Sequence, residues 1–323
     1  MSPPDIANTA ERTPHSPSRL ATWLQLLRVP NLPTVPGDPL VGYVLAAVSV
    51  GEAVAWHKAA LAAGAALLLY AAGLLANDFF DLAEDRRERP SRPLPSGRAS
   101  PAAVIVVSGL LATWGVVAAF LATREAGMVA LLLALCIYAY DGGLKRLPVV
   151  GPGVMGLCRG LSVLMGAAAA AGSAGIREPA SIAPAALIAA YVVSVTAIAR
   201  RETGAAGVGQ RRNAPLFVLA FAYTFLVAPI LQHGTYKPAS ILLIVLAALA
   251  VGWTGWWAIR LGGRPEPATV QKAVGRLVGG LIFVQASLAA MAALALPDVI
   301  WLAVGLLVLC PISWLLARKF YGS

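Results

Sequence analysis

The chain has 323 residues, of which 59% are hydrophobic and only 12% charged. A water-soluble domain carries about 25% charged residues, so the composition excludes one and indicates a polytopic membrane protein. The net charge of +10 would suggest nucleic acid in a soluble protein, but here the bias of cytoplasmic loops explains it more simply, and no nucleic-acid partner is expected.

Residues 1–20 are polar and rich in Pro and Ser, with no apolar stretch ahead of a cleavage site. They read as a flexible cytoplasmic tail rather than a signal peptide. Residues 21–320 read as one membrane domain. Apolar segments follow near 22–50, 57–82, 100–122, 126–141, 149–173, 181–200, 213–231, 238–262, 268–296 and 298–317. Each is near the roughly 20 residues needed to cross the hydrocarbon core, although the fourth is short. They are continuously apolar rather than alternating. The expected fold is therefore all-α, a bundle of nine to ten transmembrane helices rather than a barrel.

The first segment contains Pro30, Pro33, Pro36 and Pro39, with Gly37 and Asp38 among them. Proline removes a backbone donor and clashes with the preceding turn. Broken backbone at membrane depth is tolerated where it is buried in protein or lines a cavity. This segment reads equally as a cavity wall or as a kinked interfacial lead-in.

The second segment ends in Asn77-Asp78-Phe79-Phe80-Asp81-Leu82-Ala83-Glu84-Asp85. Asp78, Asp81 and Asp85 recur at i, i+3 and i+7, which places them on one helical face. Acidic groups at a helix C-terminus oppose the macrodipole, so three of them there suggest a bound cation rather than a solvated helix end. Hard oxygen ligands hold Mg²⁺ through one or two carboxylates plus substrate oxygens. Arg86, Arg87, Arg89, Arg92 and Arg98 follow at once. Between residues 89 and 98 the arginines are separated by prolines. That stiff presentation suits bidentate phosphate capture, and a topogenic loop without a ligand explains it equally well.

The fourth segment ends in Tyr138-Ala139-Tyr140-Asp141-Gly142-Gly143-Leu144-Lys145-Arg146. Lys145 offers a point charge to a phosphate. Asp141 is suited to ligating a metal or positioning an acceptor; the plainer reading is a turn with topogenic charges. Arg159 lies within an apolar, glycine-containing helix. An arginine there is expensive in lipid, so it should face the bundle interior and meet an acid or a phosphate. Gly156 and Gly160, four apart, allow close helix approach. The cysteines Cys136, Cys158 and Cys310 lie in apolar runs without metal or disulfide spacing.

Nineteen of the 25 Lys and Arg residues fall in the tail, in the loops after the second, fourth, sixth and eighth segments, or at the C-terminus. Lys58, Arg124, Arg177 and Lys237 fall on the other side. Both termini and the motif loops are therefore expected to be cytoplasmic.

These residues resemble the UbiA superfamily of intramembrane prenyltransferases. Its NDxxDxxxD motif is complete at Asn77, Asp78, Asp81 and Asp85. Arg92-Pro93-Leu94-Pro95-Ser96-Gly97 is similar to the loop that follows it, and Tyr140 through Lys145 resembles a second conserved loop. The resemblance covers roughly residues 22–296. Gly151-Pro152 through Leu161, and Ile198-Ala199-Arg200-Arg201-Glu202, resemble the EboC-type branch. The resemblance implies a helical bundle around a central cavity open sideways to lipid. It implies that Asp78, Asp81 and Asp85 bind Mg²⁺. Asn77, Arg89, Arg92, Lys145, Arg159, Arg200 and Arg201 would hold a prenyl diphosphate. Loss of diphosphate would leave an allylic cation for a small acceptor, oriented or deprotonated by Asp141 or Glu202. A phenolic or quinone precursor and a cyclitol-like molecule both suit that role. A terpene cyclase acting on the diphosphate alone and a non-enzymatic isoprenoid-lipid transporter are the alternatives. The implied setting is a bacterial inner (plasma) membrane. Two departures stand out. The superfamily's second motif, DxxxD, is missing from Val195–Glu202, where Glu202 is the sole acid beside two arginines. A tenth segment, 298–317, is present where nine are usual.

Overall fold

The computed structural model describes residues 18–200, 208–233 and 237–321, and the described residues form α-helices and short 3₁₀ turns without a strand. The all-α expectation holds. Among the described residues, eight helices are long and apolar enough to span a membrane: α3 (Trp56–Phe80), α5 (Pro101–Ala122), α6 (Arg124–Gly142), α7 (Val150–Arg177), α8 (Pro179–Ala199), α9 (Ala214–His233), α10 (Pro238–Arg260) and α11 (Pro267–Ala292). The tenth segment forms α12 (Ile300–Tyr321), which packs on α11.

The first segment differs from a plain span. It divides into α1 (Arg19–Leu26), a 3₁₀ turn over Val29–Thr34, and α2 (Gly37–Val50). The prolines are the cause, since each removes a ladder donor within this short stretch. Elsewhere proline works the other way. Pro101, Pro179, Pro238 and Pro267 sit at helix starts, where the missing N–H has no partner to lose. Ser100 and Thr123 cap α5 and α6 by accepting from the amides of Ala103 and Ala126.

The short α2 is the centre of the bundle. It packs against α3, α7, α8 and α11, and most of Gly37 to Ala47 is buried. This approach requires glycine at two crossings. A Cβ on Gly42 would overlap the Val163 carbonyl of α7, and one on Gly166 would overlap the Pro39 carbonyl of α2. The Gly156–Gly160 pair meets α8 as its spacing suggests. A Cβ at Gly156 would lie 2.5 Å from the Ala189 carbonyl oxygen, and one at Gly160 3.2 Å from that of Ala185. The outer helices turn apolar side chains outward. On α9, Phe217, Phe221 and Phe225 recur every four residues and are 66–69% exposed, a stripe suited to lipid.

A second, smaller apolar cluster lies at the motif end. Leu26 of α1, Leu75 of α3, Leu94 and Ala99 of the Pro-rich loop, and Val104 of α5 pack together with Trp23, Phe79 and Leu82 around them. It seats α1 and the loop over the end of α3.

Gly42→Ala and Gly166→Ala should each destabilise the bundle by about 1–3 kcal/mol, the usual cost of overpacking. Gly64→Ala in α3, where a Cβ meets nothing within 4 Å, should be neutral or stabilising. Thermal unfolding in detergent checks the contrast.

Candidate functional site

The acidic motif straddles a helix break. Asn77 and Asp78 occupy the last turn of α3, Asp81 is the junction, and Asp85 lies in α4 (Leu82–Glu88). The backbone bonds continue through it, Asp81 N to Asn77 O at 2.9 Å and Asp85 N to Asp81 O at 2.8 Å. The expected opposition between three acids and one helix dipole is thereby relieved. Glu84 and Asp85 fall in the first turn of α4, where carboxylates are favoured.

Each aspartate is held by a different cation. Arg28 Nη2 donates to Asp78 Oδ1 at 2.8 Å. Lys145 Nζ lies 2.6 Å from Asp81 Oδ1 and 3.7 Å from Asp141 Oδ1, and donates to Asn77 Oδ1 at 3.2 Å. Arg92 Nη1 reaches both Asp85 oxygens, at 2.9 and 2.7 Å. Asp78, Asp85 and Asp141 are all buried. The structure thus gathers Asn77, Asp78, Asp81, Asp85, Arg92, Asp141 and Lys145, seven of the residues singled out from the sequence.

Arg200 supports this group from behind. Its guanidinium donates to the carbonyls of Lys145 and Arg146, so it fixes the turn that carries Lys145. Arg89 is exposed and joins none of these ion pairs among the described residues. Arg201 and Glu202 lie outside the described residues. Arg98 belongs to the Pro-rich loop itself, donating to the Ser91 carbonyl at 2.7 Å and to Ser96 Oγ at 3.0 Å.

Arg159 faces inward and meets an acid, as its cost in lipid requires. The acid is Asp38 of α2. Arg159 Nε lies 2.7 Å from Asp38 Oδ2, and Nη2 donates to the Thr34 carbonyl at 2.8 Å. Gln285 of α11 completes the group, its Nε2 donating to that carbonyl at 2.8 Å and to Asp38 Oδ1 at 2.6 Å. The Pro-rich segment is thereby tied to α7 and α11 by side-chain donors. A cavity of ≈ 290 Å³, lined by Arg124, Glu125, Met128, Val129, Leu132 and Ile176, lies at the other end of α6.

Sequence reasoning passed over Arg28 and Gln285, and noted Asp38 only as part of a broken segment. The signal for Asp38 was available, because an acid within an apolar segment demands a partner as much as Arg159 does. Arg28 is harder to find. It takes a left-handed backbone, φ 42°, which costs a non-glycine residue about 1–2 kcal/mol and is set by the fold rather than by local pattern.

Among the described residues no three His, Cys, Asp or Glu side chains converge as a self-contained metal centre. The donor chemistry nevertheless fits Mg²⁺, which takes one or two carboxylates and completes its shell with water and substrate oxygens. Carboxylate and amide oxygens stand together at a half-buried helix mouth, with two arginines and a lysine to meet phosphate.

Comparison with known proteins points the same way. The profile of the UbiA prenyltransferase family matches residues 39–274. A protein named digeranylgeranylglyceryl phosphate synthase from Methanococcoides burtonii is 30% identical over 154 residues, 46% of this chain and 55% of that protein. The chain thus spans about half the length of that curated relative. Among solved structures, the apo form of a UbiA homologue from Aeropyrum pernix K1 superposes with a TM-score of 0.62 at 18% identity, covering 81% of this chain and 97% of that one. A UbiA homologue from Archaeoglobus fulgidus bound to GPP and Mg²⁺ gives 0.54 at 16% identity, covering 83% and 99%.

The Asp81–Lys145 pair is only 20% and 14% exposed. A double-mutant cycle with Asp81→Asn and Lys145→Met should return about 1–3 kcal/mol of coupling in unfolding experiments. The single Lys145→Met change should be the more damaging, because it strands Asp141 as well.

Proposed function

The chain belongs to the UbiA prenyltransferase family, and from that premise we propose that it is a Mg²⁺-dependent membrane enzyme moving an isoprenyl group from a prenyl diphosphate to a small acceptor. One observation carries the reading: three aspartates at a helix mouth, each neutralised by a separate cation that is itself a good phosphate ligand. A metal–diphosphate can take over both partners of such pairs. The carboxylates of Asp78, Asp81 and Asp85 would hold Mg²⁺. Arg28, Arg92 and Lys145 would turn to phosphate oxygens, the arginines bidentately and the lysine as a point charge.

When bound, Mg²⁺ would supply Lewis-acid stabilisation of the charge that develops on the departing diphosphate. Arg28, Arg92 and Lys145 add preorganised positive charge at the same place. The apolar walls of the bundle bury the prenyl chain and exclude water that would quench an allylic cation. Asp141, held near Lys145, is the candidate to orient or deprotonate the acceptor, with Glu202 as the sequence alternative. Asn77 positions Lys145. Arg200 acts through the turn it braces, Arg89 and Arg201 add charge near the loops, and the role of Arg159 is taken up below. For the acceptor, the similarity to a protein named digeranylgeranylglyceryl phosphate synthase supports a hydroxyl-bearing molecule. The strong Lys and Arg asymmetry supports placing the motif loops and both termini on the cytoplasmic face.

The test is release of diphosphate from prenyl diphosphates of several lengths by the full chain in membranes, with and without Mg²⁺ and hydroxylated acceptors. Release should require Mg²⁺ and yield a prenylated acceptor. Asp78→Ala should lower the rate by at least about 100-fold. Release with only hydrocarbon or terpene alcohol as product would indicate the cyclase alternative. Unaltered function in Asp78→Ala would indicate a binder or transporter instead.

A further inference from the structure

Among the described residues the most deeply buried charged group is Asp38, which is not at the aspartate motif. It lies beside the 3₁₀ turn of residues 29–34, where the prolines leave backbone carbonyls without helical partners. Donors from three separate helices supply them. Arg159 of α7 and Gln285 of α11 share the Thr34 carbonyl. Ser313 of α12 donates to the Pro30 carbonyl at 2.8 Å. The turn closes on itself through Thr34 Oγ1, which donates to the Asn31 carbonyl at 2.9 Å. Asp38 and Gln285 are fully buried, and Arg159 is 9% exposed. The orientation of Gln285 follows from chemistry, since a flipped amide would aim its oxygen at two acceptors. Its amide also occupies the space in which a Cβ on Gly37 would sit.

This turn leads directly to the site. Arg28 stands one residue ahead of it, and its carbonyl accepts the Asn31 amide at 2.9 Å. From that left-handed position Arg28 reaches Asp78. Arg159 turns to the protein itself, with Nη2 donating to the Thr34 carbonyl and Nε set 2.7 Å from Asp38 Oδ2.

We propose that Asp38, Arg159 and Gln285, with Ser313 as an outer anchor, are positioning residues that clamp the 29–34 turn and so present Arg28 to the diphosphate end of the site. On this view Arg159 holds protein, not substrate. The proposal rests on the prenyl-diphosphate reading above. It assigns α12 a part in the site, although that helix lies beyond the matched family region.

The experiment uses the full chain in nanodiscs, with Gln285→Met, Ser313→Ala, Arg28→Ala and the combinations with Arg28→Ala. Two readouts are taken. Backbone hydrogen exchange over residues 28–36, without ligand, reports the clamp directly. Steady-state diphosphate release with Mg²⁺ and geranylgeranyl diphosphate reports its consequence. Gln285→Met should speed exchange in this segment by about tenfold, the loss of roughly one hydrogen bond, and leave α5 and α9 unchanged. It should raise KM by more than it lowers kcat. Gln285→Met/Arg28→Ala should be no worse than Arg28→Ala alone, because the clamp acts through Arg28. Unchanged exchange, or effects that multiply in the double variant, would overturn the proposal. If Gln285→Met does not fold, Ser313→Ala, which removes only the outer anchor, is held to the same two criteria. Absence of diphosphate release by the unaltered chain would defeat the catalytic reading, while hydrogen exchange would still decide whether the clamp exists.

Discussion

A carbonyl in hydrocarbon without a donor costs several kcal/mol, and this protein breaks its first span where that penalty applies. The rest of the central packing follows from meeting it. Donors must come from other helices, so side chains of α7, α11 and α12 converge on the turn at residues 29–34. An arginine brought that deep needs an acid, which Asp38 provides. A buried ion pair gains from further hydrogen bonds, and Gln285 supplies one to Asp38 Oδ1 while Arg159 Nη2 makes one to the Thr34 carbonyl. The convergence demands close backbones, hence glycine at positions 42 and 166.

At the membrane mouth a second balance operates. Three aspartates and three cations pair one to one, yet the pairs are not equal. Arg28 and Arg92 are 31% exposed, whereas Lys145 is 14% exposed and shared between Asp81, Asp141 and Asn77. Water reaches the arginine ends of those two pairs more readily than it reaches Lys145. Arg28 and Arg92 are thus the cations most readily exchanged from carboxylate to phosphate. Lys145, shared between three partners, would be the last of the three to exchange.

Much of this was legible in the chain. Nine of the ten apolar runs became one long helix each and the first divided in two, while Asn77, Asp78, Asp81 and Asp85 stand together as their spacing suggests, although they straddle a break instead of ending one helix. Lys145 and Asp141 were found because ionisable groups at a membrane mouth are rarely idle. What the sequence withheld were pairings between distant segments. Asp38 and Gln285 are separated by 247 residues, and no local pattern links them. Arg28 was hidden because its role depends on a backbone angle. Arg159 was correctly placed inside the bundle, but whether it met an acid or a phosphate depended on which residue α2 turned toward it.

The missing second acidic motif is best understood beside Arg200. In this chain the end of α8 offers a guanidinium, and that guanidinium grips the backbone of the Lys145 turn. A carboxylate at the same place would repel those carbonyls. The two ends therefore differ in kind: α3 and α4 present acids, while α8 stabilises the turn that presents a base. On the proposed reading, such an arrangement would concentrate metal binding at Asn77 to Asp85 and leave diphosphate charge to Arg28, Arg92 and Lys145. Each of those basic groups is held in place by something other than substrate, Arg28 by the clamped turn, Arg92 by Asp85 and Lys145 by Asp81 and the braced loop. Preorganisation of this kind is what makes fixed charges effective against charge that develops only as a bond breaks.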